Sequence, residues 1–221
     1  MTSAPNRSRR ARTRLRRVVR SLLGSGPDAV VFAVAIVAAV PVILYLNRVQ
    51  WFFLDEWDYL ATRSLMSPED LFRSHNGHWS TVPVVVYRVL FQIFGLNHYW
   101  PYQAVLVGAH LCVAVLVRAV ARRAGAEPWV ATAAGVLFAY FGAGRVNIAW
   151  GFQIGFVAAV LFGLCHLVLA DHDGPWSRRD LLGLAVGVAA LLSNGPGVAM
   201  AMGTGVSVLL RRGWRMAALH V

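Results

Sequence analysis

Three carboxylates set among aromatic residues form the stretch of this sequence best suited to chemistry. Asp55, Glu56 and Asp58 lie within residues 52–60, directly after an apolar run. On a helix Asp55 and Asp58 would share a face, whereas Asp55 and Glu56 would diverge by about 100°. A carboxylate at a hydrophobic boundary tends toward a raised pKa, which suits a general base. The same pattern also fits an interfacial loop whose aromatic rings anchor at headgroup depth while its acids face water.

Two histidines follow in the same polar segment. His75 and His78 have the i, i+3 spacing of metal ligands, and the acidic cluster could supply a third ligand. Asn76-Gly77 between them predicts a turn, which favours a solvated loop over a metal site.

A second acidic motif, Asp171-His172-Asp173, resembles the Asp-x-Asp element with which soluble nucleotide-sugar enzymes hold a divalent metal. It stands beside Gly174-Pro175 in a short segment, so a solvated turn is the simpler interpretation.

Polar residues also gather where two later apolar runs meet. Arg145, Asn147, Trp150 and Gln153 are expected near the outer ends of the third and fourth spans. An arginine at that depth either extends to lipid headgroups or meets an anion such as a lipid phosphate, and the sequence leaves both open. Gly151 and Gly155 form a G-x-x-x-G pattern that helix packing explains without a ligand.

The composition places these residues in a membrane protein. The chain has 221 residues, 57% hydrophobic and 14% charged, with a formal charge of +11. All 21 basic residues are arginine and stand mostly in short segments between apolar runs, which fits topology better than nucleic-acid binding. Cys112 and Cys165 each lie in an apolar run and indicate no disulfide or metal framework.

The apolar runs predict an all-α membrane protein of about six spans. Residues 1–27 form a basic tail, and residues 28–215 form the membrane domain. The uncharged run 29–46 would cover roughly 27 Å and so can cross a bilayer. The further spans are expected at residues 101–117, 129–144, 148–170, 181–194 and 197–210, the last two separated by a polar break.

Residues 82–96 are apolar but short for a span, and the distribution of arginines decides their placement. If this segment lies in the interface, sixteen arginines are cytosolic and five are outside. If it crossed, Arg118, Arg122, Arg123, Arg178 and Arg179 would move outside, against the positive-inside rule. We therefore expect cytosolic termini, a large outer loop at residues 47–100 with interfacial helices, and a location in the plasma membrane.

With its acidic pair, histidines and topology, the sequence resembles the GT-C superfamily of membrane glycosyltransferases. The similar branch includes protein O-mannosyltransferases, bacterial aminoarabinose transferases and actinobacterial mannosyl and arabinofuranosyl transferases. The matching residues are Asp55-Glu56 with Tyr59, His75-Asn76-Gly77-His78 with Pro83, and Phe94-Gly95-Leu96-Asn97. Such enzymes usually have about twice as many spans, so the chain resembles their amino-terminal half. We expect residues 216–221 to begin a continuation.

The resemblance implies transfer of a sugar from a polyprenyl-phosphate donor to an acceptor at the outer membrane face, with inversion. Asp55 would be the general base, and Glu56 joins it as a catalytic candidate. Arg88 or Arg145 would stabilise the departing phosphate. The expected substrate-binding residues are Asp58, His75, His78, Arg88, Arg145, Trp150 and Gln153. No metal ligand is assigned, and the expected partners are membrane lipid and the lipid-linked sugar, with no nucleic acid.

Two other classes of function stay open. A transporter or carrier-lipid flippase would use the break at Asn194-Gly195-Pro196 as a substrate site within the membrane. A non-catalytic scaffold would associate through its glycine-rich spans.

Overall fold

A computed structural model describes residue 24 and residues 26–221, and this part of the chain is built from helices. No strand occurs among these residues; the one bridge between extended residues joins His75 and His78. The helices are α1 (Pro27–Leu46), α2 (Pro68–Phe72), α3 (Thr81–Phe94), α4 (Trp100–Arg123), α5 (Pro128–Ala139), α6 (Arg145–Ala149), α7 (Ile154–Ala170), α8 (Arg178–Leu191), α9 (Pro196–Arg212) and α10 (Trp214–His220). The all-α prediction is confirmed, while most of the predicted tail, residues 1–23 and 25, lies outside the described residues.

Four segments are long and apolar enough to cross a membrane. They are Pro27–Leu46, Trp100–Arg123, Pro128–Ala149 and Gly151–Ala170. Large apolar side chains on α1 and α5, such as Val37 and Leu137, are exposed, as expected for surfaces that face lipid. The chain is therefore a membrane protein.

Three further helices are shorter. The 14 residues of α3 and of α8 extend about 21 Å, and the 17 residues of α9 about 26 Å. Helices α8 and α9 are separated at residues 192–195, which overlap the polar break expected between the last two spans. Their crossing of the membrane remains a prediction.

The chain divides into two compact units, each with a buried ionic group. The described part of the first comprises residues 24, 26–39 and 114–140. There the Arg118 guanidinium is buried, donates to the Asp28 carboxylate and, at 2.9 Å, to Thr132 Oγ1, and lies over the Phe32 ring. Gly135 permits this packing, because a Cβ atom there would stand 2.7 Å from the Phe32 ring.

The second unit comprises residues 40–113 and 141–221. At one end of its helices, the buried Asp180 carboxylate accepts from Arg212 and lies 3.2 Å from the Nε2 atoms of His172 and His220. His166 on α7 meets His220 at 2.9 Å between ring nitrogens. Asp180 also closes a capping box with Ser177, so this group fixes the start of α8 against α7, α9 and α10.

Candidate functional site

The loop after α1 begins with buried amides. Asn47 Nδ2 donates to the Ile148 carbonyl at 3.3 Å, and Gln103 Nε2 donates to the Asn47 carbonyl at 2.9 Å. The Ile148 carbonyl belongs to α6 and Gln103 lies on α4, so these bonds connect the end of α1 to both helices. The segment that carries Asp55, Glu56 and Asp58 is therefore anchored at its beginning.

A tight turn then sends the two adjacent acids in opposite directions. Leu54 has φ of 46°, in the left-handed region that costs energy for residues other than glycine. The chain continues into a short helical turn that includes a π-helical segment, Asp58–Thr62. As a result the Asp55 side chain is 39% exposed, whereas Glu56 is 0% exposed.

Glu56 is enclosed by four hydrogen-bond donors. Its Oε1 accepts from the Tyr87 hydroxyl and, at 2.7 Å, from the Tyr99 hydroxyl. Its Oε2 accepts from the Phe53 N–H at 2.7 Å and from Trp150 Nε1 at 3.1 Å. Burial raises the pKa of Glu56 above its ordinary value although all four donors oppose the shift.

The tyrosines carry this network further. The Tyr99 hydroxyl accepts from the Gly151 N–H at 2.8 Å while it donates to Glu56. Burial, together with the Glu56 charge, raises the pKa of Tyr99, so its proton stays available as a donor. Gly151 is needed at this point, because a Cβ atom would lie 2.6 Å from the Tyr87 hydroxyl. Glu56 is thus a structural centre that joins the loop to α3, α4 and the segment before α7.

Asp58 belongs to a second, more accessible group. Its carboxylate accepts from Arg63 Nε at 3.0 Å and Nη2 at 2.8 Å, and from the Thr62 hydroxyl at 2.5 Å. Burial acts to raise the pKa of Asp58, but the hydrogen bonds from Thr62 and Arg63 and the arginine charge hold it below its ordinary value. Asp58 therefore stays ionised and stands as a fixed acceptor.

His75 connects Asp58 to Asp55. Its Nδ1 lies 3.0 Å from Asp58 Oδ2, and its Nε2 lies 3.7 Å from Asp55 Oδ2 without a hydrogen-bond partner. Because an ionised carboxylate only accepts, we place the imidazole proton on Nδ1, which leaves an electron pair on Nε2. Asp55 and His75 therefore present two neighbouring proton acceptors, one of them oriented by Asp58.

A four-residue turn holds His75 in place. His75 and His78 exchange backbone hydrogen bonds of 2.8 and 3.0 Å, with Asn76 at φ of 50° and Gly77 at φ of 80° between them. Two central residues with positive φ are typical of a type I′ turn, for which Asn-Gly is a preferred sequence. The predicted turn at Asn76-Gly77 is confirmed.

The other predicted site residues have separate surroundings. Trp150 binds Glu56, and the buried Gln153 has an Oε1 atom without a partner. Arg88 donates to the Leu60 carbonyl at 2.5 Å, which places it behind the loop. Arg145 is exposed and has no ion-pair partner among the described residues. His78 lines a cleft whose lining includes neither Asp55 nor His75.

The Asp-x-Asp motif stands apart from all of these residues. Arg211 pairs with Asp171 at 3.0 Å and approaches Asp173 at 3.7 Å, while His172 turns to Asp180. Within residues 26–221, no group of three or more His, Cys, Asp or Glu side chains is arranged to hold a metal ion.

Sequence reasoning did not single out Arg63, Tyr87 or Tyr99. Tyr87 and Tyr99 are 31 and 43 residues from Glu56 along the chain, and no local spacing indicates that they meet it. One signal for Arg63 existed, since an arginine five residues after an acid in a polar loop is a natural ion-pair partner.

The chemistry that this arrangement supports is proton transfer at an exposed carboxylate beside an imidazole. Hydrogen-bonded groups behind both acceptors hold them in position. No protein-family model, curated protein or solved structure matches the chain.

Proposed function

We propose that the protein transfers a sugar from a polyprenyl-phosphate donor to an acceptor hydroxyl at the outer membrane face. The observation that carries the proposal is the exposure of Asp55 beside the unpartnered Nε2 of His75, 3.7 Å away. Because the sequence resembles GT-C glycosyltransferases, we infer that the reaction served by these two proton acceptors is sugar transfer.

In this proposal Asp55 takes the proton of the acceptor hydroxyl. The freed oxygen forms a bond to the anomeric carbon of the donor, on the face opposite the phosphate. The bond from that carbon to the phosphate oxygen breaks, and its electron pair leaves with the polyprenyl phosphate, so the configuration inverts. Asp55 then loses its proton to water or to His75 Nε2.

The neighbouring acid has a different role. Since Glu56 is fully enclosed, it cannot contact an acceptor, and we assign it as a positioning residue in place of the catalytic role expected from the sequence. Its four hydrogen bonds anchor the backbone that presents Asp55.

The donor phosphate requires a cation that is not already paired. Arg63 binds Asp58, and Arg88 donates to a backbone carbonyl. Arg145 is exposed and has no ion pair in the described chain, so we assign the phosphate to Arg145.

Contacts within each unit support an interfacial α3. In the first unit, Asp28 at the start of α1 pairs with Arg118 near the end of α4. In the second, Asn47 after α1 meets Gln103 near the start of α4. If α3 crossed the membrane between them, α4 would run in the same direction as α1, and neither pair could form. The contacts therefore favour an interfacial α3.

The test is transfer by the full chain in proteoliposomes, supplied with a panel of polyprenyl-phosphate hexoses and pentoses and with neutral glycoside acceptors. We expect Asp55→Asn to reduce transfer by about 100-fold or more, because a positioned base contributes about that factor. The exposed Glu69 supplies the matched control, Glu69→Gln, which should transfer normally. Near-normal transfer by Asp55→Asn, or no transfer by the wild type from any donor, would overturn the proposal.

A carrier or flippase of lipid-linked sugars is a second candidate, favoured by the break between α8 and α9, because irregular backbone within a membrane is tolerated where it lines a substrate path. Accumulation of labelled donor in vesicles without any glycoside product would support the carrier and exclude the enzyme.

A further inference from the structure

An open cleft of about 220 Å³ lies beside the His75–His78 turn in the second unit. It is lined by Ser74, Gly77, His78, Trp79, Leu191, Asn194, Gly195 and Val198. The His78 ring packs close to Gly195, where a Cβ atom would lie 2.9 Å from His78 Cε1. The backbone joins the two walls nearby, since the Val82 N–H donates to the Leu192 carbonyl at 3.0 Å.

The polar side chains of this cleft have unused hydrogen-bonding capacity. Asn194 Oδ1 accepts from the Gly195 N–H, but Asn194 Nδ2 has no acceptor in the described chain. The ring nitrogens of His78 and the hydroxyl of Ser74 also lack partners among residues 26–221, and both residues are exposed. An amide, an imidazole and a hydroxyl therefore remain for a ligand that both donates and accepts.

Trp79 adds a flat apolar surface to the same cleft. Its side chain is 53% exposed, and its indole has no ring contact with another described aromatic residue. An indole that faces a cleft offers a large, rigid surface against which the C–H face of a sugar ring can pack. Leu191 and Val198 extend the apolar part of the wall.

The lining contains no Asp, Glu or Arg. A phosphate or carboxylate in the cleft would have no permanently charged side chain to pair with it, only the His78 imidazole, which disfavours an anionic ligand. A purely apolar ligand would leave Asn194 and His78 without partners, which is costly. A neutral ring bearing several hydroxyl groups satisfies both conditions.

We infer that this cleft binds a neutral saccharide ring, stacked on Trp79 and hydrogen-bonded by His78 and Asn194. The same turn carries His75, whose Nε2 lies 3.7 Å from Asp55 Oδ2, so the cleft and the proposed base are connected through one turn. We assign the bound saccharide ring to the acceptor substrate. The assignment to acceptor rests on the proposed function, whereas saccharide binding itself does not.

Binding of simple glycosides is measured first, with no donor present. Full chain in nanodiscs is titrated with methyl glucoside, methyl mannoside and methyl arabinofuranoside by saturation-transfer NMR. We expect Trp79→Ala to weaken binding by about tenfold and Trp79→Phe to restore part of it, because stacking needs the aromatic face. Trp214→Ala is the control, since Trp214 is 70% exposed and lies outside the cleft. Unchanged binding by Trp79→Ala, or no binding of any glycoside by wild type, would overturn the inference.

Three further outcomes separate the alternatives. If Trp79→Ala raises the KM for acceptor and leaves kcat and the KM for donor unchanged, the ring belongs to the acceptor; the opposite pattern contradicts that assignment. If Trp79→Ala leaves glycoside binding unchanged and only lowers the thermal stability of the protein in lipid, the indole is a membrane anchor and the inference fails. If saccharide binds through Trp79 but no donor supports transfer, the proposed function fails and the binding site stands.

Discussion

Asp55 and Glu56 are adjacent in the chain but occupy opposite environments. The strained backbone at Leu54 directs the first carboxylate outward and the second inward. Burial with four donors makes Glu56 a fixed anchor, whereas the exposure of Asp55 leaves it able to meet a substrate. Asp58 has a third role, because it orients His75 from the side opposite Asp55.

The raised pKa of Glu56 predicts a pH dependence of stability. A folded-state value above the ordinary 4.5 means that the folded protein binds this proton more tightly than the unfolded chain does. The stabilisation is therefore complete below about pH 4.5 and is lost as pH rises through the folded-state pKa. Gln cannot ionise, so Glu56→Gln should gain thermal stability relative to wild type as pH rises above that value.

The measurement is the thermal midpoint of both proteins in detergent between roughly pH 4 and pH 8. Glu69→Gln at an exposed position is the matched control and should show no such trend. A difference between wild type and Glu56→Gln that stays constant across this range would show that Glu56 keeps an ordinary pKa.

At the scale of elements, two short turns position the site. One is the turn at Leu54 with its π-helical continuation, Asp58–Thr62, and the other is the type I′ turn at Asn76-Gly77. Rare backbone conformations of this kind often occur at functional sites, because the surrounding structure must hold them. Here the hydrogen-bonded groups around Glu56 and around Asp58 hold the two turns.

Gly77→Ala should destabilise the second turn and reduce transfer. Gly77 has φ of 80°, and a Cβ atom added there would meet no other atom within 4 Å, so the cost is purely that of the backbone. We expect a loss of about 1 kcal/mol and a thermal midpoint lower by about 2–4 °C. Gly142→Ala is the control, since that site is equally open but has no positive φ. Equal midpoints for the two variants would contradict the role given to the turn.

The sequence predicted features that depend on local pattern. Apolar length predicted the four membrane-compatible helices, and Asn-Gly predicted the turn between His75 and His78. The partners of Glu56 could not be predicted, because Tyr87, Tyr99 and Trp150 reach it only through the packing of distant segments. For the same reason the sequence could not distinguish the buried acid from the exposed one.

At the scale of the whole molecule, contacts within each unit are consistent with the topology predicted from the arginine distribution. Asp28 and Arg118 in the first unit, and Asp180 with Arg212 in the second, lie at helix ends expected to face the cytosol. The turn at His75–His78 meets the break between α8 and α9, which was expected outside. The predicted topology would place sixteen of the 21 arginines on the cytosolic side.

The central claim is therefore that Asp55 lies at the outer face of the membrane. Single cysteines are introduced by Asp55→Cys and by Met66→Cys, a second loop position that is 91% exposed, with Cys112 and Cys165 replaced by alanine. Asp173→Cys serves as the cytosolic control. Treatment of intact cells with a membrane-impermeant thiol reagent should label positions 55 and 66 but not 173. Labelling of positions 55 and 66 only after permeabilisation would contradict the outer location, and with it the proposed sugar transfer.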